Sequence, residues 1–191
     1  MRLKLTVAPA TEPISLDDAK NYLRVDGGED NALISALIVT ARQLAEKETH
    51  RAFITQTWQM VLDDAPAEIE IPKPPLQATD LSIKVIDADG EETAVDAETY
   101  DIDASENSPG RIRLKSGYVW PTHRNFASFV ITFKAGYGVA STDVPEVFIQ
   151  GMLQLIGHLY ENRGDEGAVK ARVLAIEEAR TLFAPYKIYR I

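Results

Sequence analysis

The stretch "FITQTWQMVLDD", residues 53–64, is where the chain changes its periodicity. Before it, apolar residues recur at helical spacing. Within it they tend toward alternation, and β-branched and aromatic residues become common, as a half-buried pleated surface requires. A block of strands therefore opens at Phe53 and divides the chain.

Upstream, "PISLDDAKNYLRVDGGEDNALISALIVTARQLAEKETHRAF" (13–53) reads as two helices. Ser15 stands where an N-cap belongs, Asp18 takes the acidic place of a capping box, and Leu16, Ala19 and Leu23 fall near one face. Gly27 and Gly28 break the chain. Leu33, Ile34, Leu37, Ile38, Ala41, Leu44 and Ala45 then follow the i, i+3, i+4 rule of an amphipathic helix.

Downstream, "AEIEIPKPPL" (67–76) is a strand ending at a Pro pair that a central strand could not hold. "LSIKVIDADGEETAV" (81–95) is a hairpin turning at Asp89-Gly90. "ETYDIDASENSPGRIRLKSGYVWP" (98–121) offers two short strands around a polar turn, and "SFVITFKAGYG" (128–138) one more. About six or seven short strands suffice for an independent sheet.

Helical spacing returns in "DVPEVFIQGMLQLIGHLYENRGDE" (143–166). Pro145 suits a first helical turn, Asp143 is placed to cap it, and Val147, Phe148, Met152, Leu155, Ile156 and Leu159 make a broad apolar face. A fourth helix runs through "EGAVKARVLAIEEARTLFAPYKIYRI" (166–191) and stops before Pro185. The expected fold is α+β: a helical core, residues 1–52 and 141–180, interrupted by an antiparallel β module at 53–140 and closed by a tail at 181–191.

The composition, 45% hydrophobic and 26% charged over 191 residues, is that of a globular chain. No apolar run approaches the roughly 18–20 residues of a membrane span, and the opening segment lacks a secretory signal, so a protein made and used in solution is expected. There is no cysteine, which excludes disulfides, thiol nucleophiles and thiolate metal sites. The net charge of -9 argues against a tight nonspecific grip on nucleic acid, which depends on cations neutralising phosphates. The charge is unevenly spread, because residues 168–191 carry +3 and the first 167 carry -12.

Chemistry-bearing patterns are few. "DADG" (87–90) and the alternating Asp101, Asp103, Ser105 and Asn107 resemble parts of a calcium loop. The first lacks further ligands, and the second has Glu106 in place of the turn glycine and Ile112 in place of the bidentate acid. His50, His123 and His158 are scattered, none with a second His one helical turn away, so no zinc set forms. Neither a G-x-S-x-G elbow nor a P-loop nor a G-x-G-x-x-G fingerprint is present. Paired carboxylates of the glycosidase kind are spatial and stay open. The expectation is a protein without catalytic residues, metal or cofactor. A carbohydrate- or peptide-binding module in the β region is the alternative, and it would need Trp58, Tyr118 and Trp120 exposed. The apolar, basic tail reads as a membrane-surface helix, as a last turn folded onto its own core, or as an arm for a partner's groove.

The ordered series "ISLDDAKNYLRVDGGEDNALISALIVTARQLAEKETHRAF", "IPKPPLQ" with the "DADG" hairpin, "GYVWP", "FKAGYG", "VPEVFIQGMLQLIGHLYENRGDE" and "LFAPYKIYR" resembles the head-tail connector, or adaptor, proteins of tailed bacteriophages, prophages and gene transfer agents. The resemblance implies a structural virion protein, made in the bacterial cytoplasm and placed at the particle neck. It further implies a homo-oligomeric ring, on the order of twelve copies, with the portal protein on one side and a stopper or tail-completion protein on the other. DNA would pass through the lumen without specific binding, and no membrane is involved. On this reading the tail docks on the portal through Arg180, Leu182, Phe183, Pro185, Tyr186, Lys187, Ile188, Tyr189, Arg190 and Ile191. It is expected to be exposed or loosely held beforehand, with Leu182, Phe183, Tyr186, Ile188 and Tyr189 as apolar anchors and Lys187 and Arg190 facing portal acids.

Overall fold

The structure, a computed structural model, describes the backbone of residues 1–162 and 168–188, and side chains for all of these except 168–175. The chain divides into two compact units, one built from residues 1–10 and 55–136 and the other from 11–54 and the described part of 137–191.

The first unit is all β. Strands β1 (Arg2–Val7), β2 (Gln56–Leu62), β8 (Phe129–Ala135), β4 (Leu76–Ile86) and β5 (Glu92–Ala94) form an antiparallel sheet in the order β1-β2-β8-β4-β5. A smaller sheet runs β3 (Glu68–Ile71), β7 (Gly110–Leu114), β6 (Tyr100–Asp103). Period-two patterning sets the faces: Phe129, Ile131, Phe133 and Ala135 are buried while Val130, Thr132 and Lys134 between them are half-buried. Register carries one face across the large sheet, with Leu3 opposite Met60, Met60 opposite Ile131 and Ile131 opposite Ile83. Ile69, Ile71, Ile112 and Tyr100 supply the buried side of the small sheet. The sheets meet at Gly110, where a Cβ would lie 2.3 Å from a methyl carbon of Leu76.

Two boundaries differ from the sequence reading. The first ten residues belong to the β unit, since "RLKLTV" forms β1 against β2. Its alternation is genuine but short, and only a partner strand stabilises it. Phe53, Ile54 and residues 137–140 belong to the helical unit: Tyr137 N donates to Phe53 O at 2.9 Å, and Ile54 bridges Gly138 in parallel.

The second unit holds helices α1 (Leu16–Leu23), α2 (Asn31–Thr49), α3 (Glu146–Glu161) and α4 (Ala168–Phe183), the last followed by a 3-10 turn at Ala184–Tyr186. Ser15 Oγ accepts from Asp18 N at 3.0 Å and donates to the Asp18 carboxylate at 2.6 Å, so the cap forms where the motif placed it. From the α2 stripe Ile34, Ile38, Ala41 and Ala45 are buried, whereas Leu33, at the stripe's edge, is exposed. Asp143 does not cap α3. Its carboxylate accepts from Ala140 N at 2.9 Å in a preceding 3-10 turn, and Pro145 stands at the cap position itself. Ile14, Phe53, Phe148, Met152, Ile156, Ala179 and Phe183 lie at the centre of the helical core.

Candidate functional site

The carboxy-terminal segment is the site the sequence singles out, and the structure divides it. Phe183, the last residue of α4, is 2% exposed and packs with its ring centroid 6.0 Å from that of Phe148. Phe148 in turn stacks on Phe53 at 4.6 Å and takes Tyr186 edge-on at 5.1 Å. Gly151 of α3 makes the space, since a Cβ there would sit 2.4 Å from Phe183 Cε1. The expectation that Phe183 waits exposed for a partner is therefore corrected: it is a core residue of the subunit.

Ile188 is corrected likewise. It is 9% exposed, and its N–H donates to Thr49 O, at the end of α2, at 3.0 Å. That bond satisfies one of the carbonyls left without partners at a helix C-terminus. Buried Arg51 makes a second tether, its Nε donating to Tyr186 O at 2.8 Å and its Nη1 to the Tyr137 hydroxyl at 3.2 Å. Leu182 is half-buried against the core, Pro185 is exposed, and Tyr186 is 37% exposed. Tyr189, Arg190 and Ile191 lie outside the described residues.

Arg180 is paired within its own subunit. Arg180 donates to Glu48 Oε1 at 2.9 Å and also pairs with Glu177. The hydrogen bond from Arg180 holds the Glu48 carboxyl below its usual pKa, partial burial opposes this, and the charges of Arg180 and Lys187 add to the lowering. Glu48, Arg180, Phe183, Ala184 and Lys187 line an open hollow of about 270 Å³.

A buried ionic chain that the sequence reading missed anchors the other side of α2. Arg42 Nε lies 2.7 Å from Glu12 Oε2, and its Nη1 lies 3.1 Å from Glu46 Oε2. Glu46 Oε1 also accepts from Phe53 N at 3.0 Å. Burial works against the charge on Arg42, but the Glu12 hydrogen bond and the two carboxylates outweigh it and raise its pKa. The i, i+4 spacing of Arg42 and Glu46 was visible; that both would be buried was not.

The remaining candidates take structural places. Asp87 accepts from Asp89 N and Glu91 N at 2.9 Å each, closing the "DADG" hairpin, and Asp103 pairs with Arg111. Among the described residues no group of three or more His, Asp or Glu side chains is arranged to hold a metal. His123 Nε2 is 3.2 Å from Asp64 and its ring meets Phe129 edge-on, His158 is 3.2 Å from Glu178, and His50 ends α2 in a left-handed conformation. Trp120 packs edge-on against Phe129 and Trp58 is half-buried, so of the three aromatics only Tyr118 is exposed. No described helix is long and apolar enough to cross a membrane.

Solved structures of similar fold cover the chain end to end. One, from the neck of an empty gene transfer agent (GTA) particle computed with C6 symmetry, matches with a TM-score of 0.80 at 22% identity over 100% of this chain and 97% of the other. A chain of a native GTA virion matches at 0.76 and 21%, and one from a native GTA neck computed with C12 symmetry at 0.71 and 20%, with the same coverage. No curated protein sequence matches the chain. The chain thus shares its α+β fold, end to end, with chains of particle necks. The model of the phage gp6-like head-tail connector proteins matches residues 13–108, and the chain belongs to that family. It is a head-tail connector, a structural protein of the joint between head and tail.

Proposed function

We propose that the protein forms a homo-oligomeric ring in the neck of a phage, prophage or gene-transfer-agent particle, with the portal protein on one side and a stopper or tail-completion protein on the other. The observation that carries this reading is the family match combined with an end-to-end fold likeness to chains of particle necks computed with C6 and C12 symmetry. DNA would cross the ring lumen without being held, in keeping with a net charge of -9 that disfavours phosphate binding by counterion release. The protein needs no turnover for this role and is not an enzyme on this reading.

The portal contact is assigned to the end of the chain in a revised form. Phe183 and Ile188 fasten the segment to the helical core. Pro185 and Tyr186 at the surface, with Arg180, Lys187, Leu182 and the terminal Tyr189, Arg190 and Ile191, then meet the portal. Repetition around a ring turns a modest contact per subunit into high avidity. The test is binding of the purified protein to the portal protein encoded beside it, for the full chain and for a chain ending at Ile188. Binding by the full chain alone supports both assignments. Equal binding by both removes the portal role of the last three residues, and binding by neither removes the portal as partner.

A further inference from the structure

The five-stranded sheet has two open edges, and they differ in chemistry. Among the described residues, β1 at one end pairs only with β2, and β5 at the other only with β4. The β1 edge is basic, with Arg2 and Lys4 exposed. The stretch that contains β5, residues 87–98, carries Asp87, Asp89, Glu91, Glu92, Asp96 and Glu98 and no Lys or Arg. Lys84 on the neighbouring strand offsets one of these, with its Nζ 2.9 Å from Glu92.

Register places the charges on matching faces. Arg2 is opposite Val61, Val61 opposite Val130 and Val130 opposite Lys84, and Glu92, opposite Ile86, shares the face of Lys84. Leu3 and Leu5 lie on the other face with Met60, Trp58, Phe133 and Ile131; Val85 lies there too, opposite Thr93. Leu5 is 39% exposed although it belongs to the apolar face. An edge strand guarded purely against association would keep its apolar side covered or interrupt it with an inward charge. Here the basic residues guard the outer face and the apolar row of the inner face runs out into solvent.

We infer that β1 of one copy pairs with β5 of the next, so that the large sheet continues from subunit to subunit. The inference rests on the ring reading above and names its contact. A contact between two different edges of the same chain is heterologous and closes into a ring when the rotation per subunit fits. Backbone pairing supplies the unmet donors and acceptors of both edges. Arg2 and Lys4 come beside Glu92 on one face, while Leu3 and Leu5 come beside Thr93 on the other. A slip by one residue would exchange the faces and is thereby disfavoured.

Because the chain contains no cysteine, disulfide trapping is unambiguous. The full-length Lys4→Cys/Glu92→Cys protein, oxidised under conditions where the unmodified protein forms rings, is expected to give a ladder of covalent multimers on denaturing gels. An equal mixture of the two single-cysteine chains is expected to stop at dimers. Lys4→Glu or Glu92→Lys alone should lower the fraction in rings by about tenfold in native mass spectrometry, and the double reversal should restore it to within about twofold. Rings that form without the cross-link, or that are indifferent to both reversals, would overturn the edge pairing and leave the ring reading standing. A protein that forms no ring, alone or with the portal, overturns both.

Discussion

Phe183 occupies the space that a side chain on Gly151 would fill, with its Cε1 2.4 Å from where a Cβ would stand. The end of α4 is thereby keyed into α3 before any partner arrives. Gly151→Ala is expected to displace the ring and cost about 1–3 kcal/mol despite a better helix former in mid-helix. Phe183→Ala empties the site and should cost about 3–5 kcal/mol. Thermal unfolding of the two variants measures both, and a Gly151→Ala protein of unchanged stability would show that the ring has room to move.

Truncation should separate tethering from docking. A chain ending at Ala179 loses Phe183, Tyr186 with the carbonyl that accepts from Arg51 Nε, and the Ile188–Thr49 hydrogen bond. It is expected to lose near-ultraviolet circular dichroism and stability, whereas a chain ending at Ile188 keeps both. Equal stability of the two would contradict the packing described for this segment.

The Glu12–Arg42–Glu46 chain is expected to behave as one unit. Replacing Arg42 by Met removes an ionic partner of buried Glu46, and breaking such a pair costs about 3–5 kcal/mol. Glu12, which is more exposed, should matter less when changed to Gln. A double-mutant cycle on Arg42 and Glu46 should be non-additive by about 0.5–3 kcal/mol; additivity would mean that the two do not act together.

Acid should loosen the Arg180 contact from one side only. The folded pKa of Glu48 is depressed, chiefly by the hydrogen bond from Arg180. Its contribution to stability is therefore full above the unfolded-state pKa, near 4.5, and is lost as pH falls through the lower folded value. Arg180→Ala should raise the Glu48 pKa toward its ordinary value in a carboxyl NMR titration. An unmoved titration curve would place the cause elsewhere.

Much of the architecture was legible because its signals are local. The Ser15 cap, the α2 stripe and the Asp-Gly hairpin depend on residues within a few positions of one another, and each formed where its pattern lies. β1 escaped because six residues of alternation gain meaning only against β2, more than fifty residues away. Phe53 and Ile54 look like the start of a strand by composition, yet their contacts are with Phe148 and Gly138.

The tail shows the same division. Its apolar and basic composition marks a segment that must be covered by something, and the choice between its own core and a partner was open. The sequence by itself determined the α+β order, the Ser15 cap of α1, the absence of any thiol chemistry and the family resemblance, all of which follow from residue type and short-range spacing. Only the tertiary structure decided that Phe183 and Ile188 are covered within the subunit, that Arg42 and Glu46 are buried together, and that the large sheet ends in one basic and one acidic edge. Those outcomes depend on which distant elements meet, and burial is a property of the meeting and not of the residue.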